Sequence, residues 1–304
     1  MCAAPLFSIH ILRISNLYNF HFFRRGMEEI VEKVIEKREL RGVKKEFVEK
    51  IVKKVGRELG LGNLEGLGEK QAKGIVKKAR AELRRSVGMF ELSERKRAKL
   101  LAGEDISSLL ATHASTKERL GFYNEVKRIV YATKPKTILD IGCGLNPIAL
   151  AERGTEYVAC DVNASVLEVV ESFFKARKLE GKTLIVDITD ERDLGKLPKK
   201  CDVVLLFKLL DIVAETAKEK RKVFEKIFER IEAKRVVASF PTRKLSGKRM
   251  NSPKRFWFEK LLESKGVVFE KFFIPGEVFY SFSFRGTTSE RENKSVGTEI
   301  PRAE

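Results

Sequence analysis

Two hydrophobic periods divide the chain. From Met27 the apolar positions recur at helical spacing. Phe47, Ile51, Val55 and Leu59 fall every four residues with Val48 and Val52 alongside, one stripe of an amphipathic helix. Gly60, Gly62, Gly66 and Gly68 then mark a turn region. A second helix is predicted over Glu69 to Val87, with Ala72, Ile75, Val76, Ala79, Leu83 and Val87 as its stripe. Ser115 and Glu118 have capping-box spacing, which predicts a helix from there to about Thr133. Beyond it, short β-rich apolar runs take over: Thr137 to Ile141, Tyr157 to Asp161, Thr183 to Val186, Val203 to Phe207 and Arg235 to Phe240. Helical segments are expected between them, over Ile148 to Arg153 closed by Gly154, Ala164 to Leu179 ended by Gly181, about Ile212 to Ala233, and Pro253 to Ser264. Two strands, Val267 to Phe273 and Glu277 to Phe284, follow with no helix between them. Strand alternating with helix implies an α/β doubly wound sheet, and the closing pair implies a reversed last strand.

The first of these strands ends in Asp140, and the turn after it holds Gly142 and Gly144 before Asn146 and Pro147. Strand, glycine turn and helix in that order make a nucleotide-type cofactor site, because glycine lets the backbone approach the ligand and the helix start offers unpaired N–H groups. Asp161 lies 19 positions after Gly142, where a carboxylate can accept from ribose hydroxyls. Asp187 closes the third strand, placed to meet an adenine amino group. The dinucleotide pattern G-x-G-x-x-G needs a glycine where Pro147 stands. Acids after all three strands favour S-adenosyl-L-methionine over NAD.

Charge adds a partner. The 304 residues carry a net charge of +18, and 34% of them are charged. Between Arg41 and Lys99 there are 18 Lys/Arg against 8 Asp/Glu, a net of +10 in one helical segment. A helical bundle with a basic flank suits RNA, whereas salt-bridged solvated helices would be the plainer account. The stretch from Pro241 to Arg255 holds Arg243, Lys244, Lys248, Arg249, Lys254 and Arg255 and no acid. Six cations beyond a strand's carboxyl end lie on the ligand-binding side of such a sheet and fit phosphates. Phe240, Phe256 and Trp257 are candidates to stack on a base. Cys2, Cys143, Cys160 and Cys201 form no C-x-x-C pair and three histidines are scattered, so neither a disulfide framework nor a metal site is expected. Arg13 interrupts the first apolar run before it reaches spanning length, and a cytoplasmic protein without a membrane segment is expected.

In four ordered motifs the chain resembles the small-subunit (16S) ribosomal RNA guanine-N7 methyltransferases that confer aminoglycoside resistance. They are His113 to Leu120 (HASTKERL), Asp140 to Pro147 (DIGCGLNP), Leu205 to Lys208 (LLFK) and Val237 to Arg243 (VASFPTR) with Gly247 and Met250 after it. Lys117 and Lys244 stand where the pattern leads one to expect arginine and serine. The resemblance implies a class I Rossmann-like methyltransferase domain, with a mostly parallel seven-stranded sheet whose last strand is reversed, plus an all-α N-terminal domain that docks on the ribosomal subunit.

The expected division is 1–26 as a non-native start or disordered extension, 27–112 as a helical RNA-docking domain, 113–284 as the S-adenosylmethionine-dependent domain, and 285–304 as a disordered tail. Candidate cofactor contacts are His113, Arg119, Asp140, Gly142, Gly144, Asn146, Pro147, Asp161, Val162, Asp187, Ile188, Phe207 and Lys208. Candidate RNA contacts are Lys77, Lys78, Arg84, Arg85, Arg243, Lys244, Lys248, Arg249 and Met250. Arg119 is expected to reach the cofactor's carboxylate. No residue is assigned as an acid or base, because the lone pair on guanine N7 needs no deprotonation before attack. A transfer RNA methyltransferase of the same fold, or a non-catalytic ribosome assembly factor, stands as the alternative. Oligomeric state is not legible.

Overall fold

The computed structural model describes residues 26–87, 105–214, 216–243 and 255–283, with Ser86 described by its backbone alone. Residues 1–25 and 284–304, and the expectations placed on them, lie outside the described residues. Two compact units emerge, one of residues 1–91 with Val162–Ser165, the other of residues 92–161 and 166–304.

The helical unit begins with a helix over residues 26–35, followed by Lys45–Glu58 and Glu69–Val87. Their stripes meet in one core. Met27, Ile30, Val31 and Val34 from the first helix join Val48, Val52 and Val55 from the second and Ile75, Ala79 and Leu83 from the third. Each such side chain contributes roughly 1.5–3 kcal/mol of burial for a Val- or Leu-sized group. Leu59, placed on the stripe by its spacing, falls after the helix end and is exposed. Cations hold the outer edges together: Lys54 Nζ pairs with Glu82 at 3.0 Å, and Arg84 Nε donates to the buried Glu39 at 3.0 Å.

The second unit is built on a seven-stranded sheet of order β3-β2-β1-β4-β5-β7-β6. The strands are β1 Thr137–Ile141, β2 Glu156–Asp161, β3 Gly181–Ile185, β4 Lys200–Phe207, β5 Glu232–Pro241, β6 Phe269–Ile274 and β7 Glu277–Phe282. Strands β1 to β5 pair in parallel, and β7 runs antiparallel to both β5 and β6. Side chains alternate between the two faces. Leu139, Ile141, Val158, Val204, Leu206 and Phe240 pack with Phe224 and Phe258 from helices Ala217–Arg230 and Phe256–Ser264. Ile138, Tyr157, Leu205, Phe207 and Phe279 pack with Val126, Val130, Val170 and Phe174 from helices Tyr123–Val130 and Ala164–Arg177. Both faces are covered, which is why the central strands read as nearly continuous apolar runs. Chain order reverses between β1 and β4, and that switch point opens a crevice at the carboxyl ends of the strands.

Several expected helices have different bounds. The segment expected from Ser115 to Thr133 is three pieces: Ala114–Glu118, a 3₁₀ turn Leu120–Phe122, and Tyr123–Val130. Its N-cap is His113, not Ser115, and neither makes a side-chain capping bond to the helix start. The helix after the glycine turn is Asn146–Leu150, leaving Gly154 (φ +77°) in the turn before β2. Helix Ala164–Arg177 closes through Lys178 at φ +52°, while Gly181 opens β3 with no room for a side chain against Phe174. The long helix expected from Ile212 splits into Leu210–Val213 and Ala217–Arg230, because Thr216 and Glu219 form a complete capping box that starts a new helix.

Candidate active site

The crevice is set by the turn after β1. Gly142 and Gly144 both have positive φ, +71° and +51°, a region that a side chain makes costly. The N–H groups of Gly142 and Cys143 donate to the Cys160 carbonyl at 2.8 and 2.9 Å, folding the turn over the end of β2. A Cβ on Gly142 would stand 2.6 Å from Leu209 Cδ1, so the turn leans on the residue that follows Lys208. A Cβ on Gly144 would stand 2.8 Å from Cε1 of His113, whose ring lies over the turn and whose Nδ1 is 3.1 Å from Ser115 Oγ. Pro147 sits in the first turn of helix Asn146–Leu150, where its missing N–H costs nothing.

Acids line the same edge. Asp161 ends β2, and its Oδ2 accepts from Gly144 N at 3.0 Å. Asp187 follows β3; its N–H donates to Asp193 Oδ2 at 2.8 Å and its Oδ1 accepts from Thr189 N at 2.9 Å, beside the buried Ile188. Asp140 is fully buried in β1, where Oδ2 accepts from Tyr157 Oη at 2.8 Å. Its Oδ1 has no hydrogen-bond partner among the described residues. Burial pushes the Asp140 carboxyl up to about 7, with the nearby Asp161 charge adding to it and the Tyr157 hydrogen bond and Arg119 charge opposing.

At the ends of β4 and β5 lies a knot of charge that the sequence did not disclose. Arg119, 1% exposed, forks onto Glu277 through Nε–Oε2 at 2.8 Å and Nη2–Oε1 at 2.7 Å, and donates through Nη1 to Asn146 Oδ1 at 2.9 Å. Its guanidinium lies 5.0 Å from the centre of the Phe207 ring. Glu277 opens β7 and also accepts from Ser239 Oγ. Lys208 Nζ stands 3.4 Å from Glu277 Oε2 and pairs with Glu118. Burial alone would push the Glu277 carboxyl up, but the Arg119 and Lys208 charges and the Arg119 and Ser239 hydrogen bonds hold it below the usual carboxylate range. Arg119 is thus bound first to Glu277, Asn146 and the Phe207 face. Glu277 escaped the sequence reading because its partners are 38 to 158 residues away. Its one local signal is an acid at the first position of a largely apolar strand.

Of the expected cofactor contacts, the structure gathers His113, Asp140, Gly142, Gly144 and Asp161 around the turn, with Arg119, Asn146, Phe207 and Lys208 in the adjoining knot, while Asp187 follows β3, the strand next to β2. Val162 is the residue after Asp161. It falls in the helical unit, where its side chain packs on that unit's core.

The RNA-facing expectations divide. Lys77, Lys78 and Arg85 are exposed, Arg85 pairing with Glu82 on its own helix. Arg84 holds Glu39, which is 6% exposed at the side chain, so it has a structural partner as well. Arg243 is exposed, whereas Lys244, Lys248, Arg249 and Met250 lie outside the described residues. Arg255 does not belong with the uncompensated cations. It is buried, its Nη2 bonding Asp211 Oδ2 at 2.8 Å and the Pro241 carbonyl at 2.9 Å. Phe240 is also unavailable as a stacking platform, being buried against Trp257, Phe258 and Tyr280, while Phe256 is 54% exposed. Among the described residues no group of ligands could hold a metal ion, and no helix is long and apolar enough to cross a membrane.

Comparison with known proteins adds the family. The family model described as ribosomal RNA methyltransferase (FmrO) matches residues 37–280. A protein of Serratia marcescens named 16S rRNA (guanine(1405)-N(7))-methyltransferase is 30% identical over 224 residues, which is 71% of this chain and 86% of the relative. The solved 16S rRNA methylase RmtB is 26% identical with a TM-score of 0.64, covering 84% of this chain and 98% of its own. The 16S rRNA methyltransferase RmtF, solved with S-adenosyl-L-homocysteine, is 24% identical with a TM-score of 0.67, covering 84% of this chain and 97% of its own. Seven strands with β7 reversed, a glycine turn at the switch point and a family match across both units lead to one assignment: the chain belongs to the FmrO family of ribosomal RNA methyltransferases.

Proposed function

We propose that this protein is an S-adenosylmethionine-dependent enzyme that methylates N7 of a guanine in the RNA of the small ribosomal subunit. The observation that carries the proposal is the family match over residues 37–280, joined to a cofactor-shaped turn at the switch point.

The residues present fit that cofactor. The ammonium of the cofactor's amino-acid end calls for a buried carboxylate with an open lone pair, and Asp140 Oδ1 is such an atom. A ribose diol calls for an acceptor at the tip of β2, which Asp161 provides, and an adenine amino group calls for one after β3, which Asp187 provides. Gly142 and Gly144 keep the turn free of side chains, with His113 laid over it. When bound, S-adenosylmethionine supplies a methyl group from its sulfonium, the C–S electron pair staying on sulfur as the N7 lone pair forms the new N–C bond. The protein's task is then placement rather than proton transfer. The Arg119–Glu277 fork fixes the floor of the crevice by tying β7 to helix Asn146–Leu150 through Asn146.

N7 of a paired guanine lies in the deep groove of an RNA helix, so the base must be exposed or flipped to react. Docking falls to Lys77, Lys78 and Arg85 on the helical unit, and to Arg243 with Lys244, Lys248, Arg249 and Met250 beyond β5. Phosphate contacts from the Lys and Arg residues position the substrate without reading its sequence.

The test is transfer of labelled methyl groups to isolated small subunits, large subunits and transfer RNA in parallel. Label is expected in the small-subunit RNA alone. Label in transfer RNA only, or tight cofactor binding with no transfer to any RNA, would overturn the proposal.

A further inference from the structure

We propose that the Glu118–Lys208 ion pair recognises the base to be methylated as guanine, the carboxylate accepting from N1–H and N2–H and the ammonium donating to O6. The proposal rests on the methyltransfer function above and names the groups that choose its substrate.

Lys208 follows β4 at the switch point, across from the glycine turn after β1, and its neighbour Leu209 touches that turn. The two residues of the pair therefore stand beside the place where cofactor and substrate must meet. Lys208 adopts φ +55°, a left-handed backbone that is costly for a non-glycine residue. Its N–H is held there by the Ser239 carbonyl at 3.0 Å and the Ser239 hydroxyl at 3.1 Å. Such strain persists where the surroundings fix a side chain in one direction.

Exposure separates the two carboxylates on Lys208. Glu277 is 2% exposed and already committed to Arg119 and Ser239. Glu118 is 62% exposed against 10% for Lys208, so one side of its carboxylate faces the ammonium and the rest is open. A pair exposed to that degree adds little stability. What it does present is a fixed donor beside a fixed acceptor.

That pattern matches guanine. On its outer edge O6 accepts while N1–H and N2–H donate, and a carboxylate can take both donors. Adenine reverses the order, offering a donor at N6 and an acceptor at N1, so the same pair repels it. The distinction is needed, because both purines carry an N7 lone pair. Methylation also leaves the ring positively charged and makes the N1 proton more acidic. The hydrogen bond to Glu118 therefore strengthens as the N–C bond forms, while the proton stays on N1. An interaction that grows toward the transition state raises kcat rather than affinity.

The experiment uses small subunits reconstituted with RNA bearing guanine, inosine or adenine at the position that the wild-type protein methylates. Inosine lacks the N2 donors, so wild type should prefer guanine by roughly tenfold and leave adenine unmodified. Glu118→Gln should lower kcat on guanine about 10- to 100-fold and bring the guanine and inosine rates together. Glu118→Asp, which keeps the charge, should recover the preference for guanine in part. Binding of S-adenosylhomocysteine and of small subunits should stay within about twofold of wild type in both variants, as for an exposed substitution that leaves the fold intact. A Glu118→Gln protein with wild-type rate and preference overturns the proposal, and so does a loss of rate that merely follows a loss of cofactor affinity. Failure of the wild-type protein to methylate any guanine would remove the methyltransfer function itself, an outcome distinct from both.

Discussion

Glu277→Gln is the substitution that probes the site's foundation. Glu277 is the buried anion between two cations, with Arg119 at 2.7 and 2.8 Å and Lys208 at 3.4 Å, and its side chain is 2% exposed. Glutamine keeps the shape and one acceptor but turns an N–H towards the guanidinium and leaves Arg119 without its buried counter-charge. Breaking a buried pair on one side costs about 3–5 kcal/mol. For a unit of this size each kcal/mol moves the melting temperature by about 2–4 °C, so a drop of about 6–20 °C is expected. Thermal unfolding at pH 7, followed by circular dichroism, reads it directly. The pH dependence gives the sign. The folded Glu277 carboxyl lies below its unfolded value of 4.5, so its stabilisation is complete above pH 4.5 and is lost as pH falls through the folded value. Wild type and variant should converge in that acid range. A variant that melts within about 2 °C of wild type at pH 7, a difference under about 1 kcal/mol, would refute the fork's importance.

Two other substitutions separate charge effects of opposite sign. Asp140 has its folded value raised from 3.8 to about 7, so the stability it contributes is present below 3.8, falls as pH rises through that window, and levels off above it. Asp140→Asn should therefore gain on wild type by up to about 4 kcal/mol at pH 8, with the gap closing near pH 4; denaturant midpoints across pH test this. If Asp140 pairs with the cofactor's ammonium, wild-type affinity for S-adenosylhomocysteine should also rise towards pH 7 and the variant's should not, as calorimetry would report. On the helical unit, Lys77→Glu with Lys78→Glu should weaken small-subunit binding and flatten its salt dependence, the slope changing by about 0.7–0.9 for each phosphate no longer neutralised. Arg84→Glu, by contrast, should unfold that unit in part by setting a second carboxylate against buried Glu39, visible as reduced helicity rather than as a selective defect in RNA binding.

How far the sequence disclosed this molecule follows from the range of each interaction. The sheet was legible because its strands are local apolar runs ending in acids or glycine, and Gly142, Gly144, Asp161 and Asp187 announce themselves by spacing. Helix ends were less so. Thr216 and Glu219 form a capping box that competes with the longer periodic stripe, and Lys178 closes a helix where a glycine three residues on looked the better stop. The charge knot was the hardest part. Arg119 stood out by its motif, but its forked partner Glu277 is 158 residues away, and only the fold joins them. Arg255 shows the opposite failure. Composition made it one of six free cations, and the fold commits it to Asp211 and the Pro241 carbonyl.

The central claim is that a guanine N7 is the acceptor, and N7 methylation leaves a chemical mark. The fixed positive charge makes the glycosidic bond labile to borohydride reduction followed by aniline cleavage. Small subunits treated with this protein and S-adenosylmethionine should yield one new cleavage in their RNA, at a guanine, absent when either the protein or the cofactor is withheld. Methyl transfer to small-subunit RNA with no cleavable guanine, or with the label on an adenine or a pyrimidine, would contradict the account.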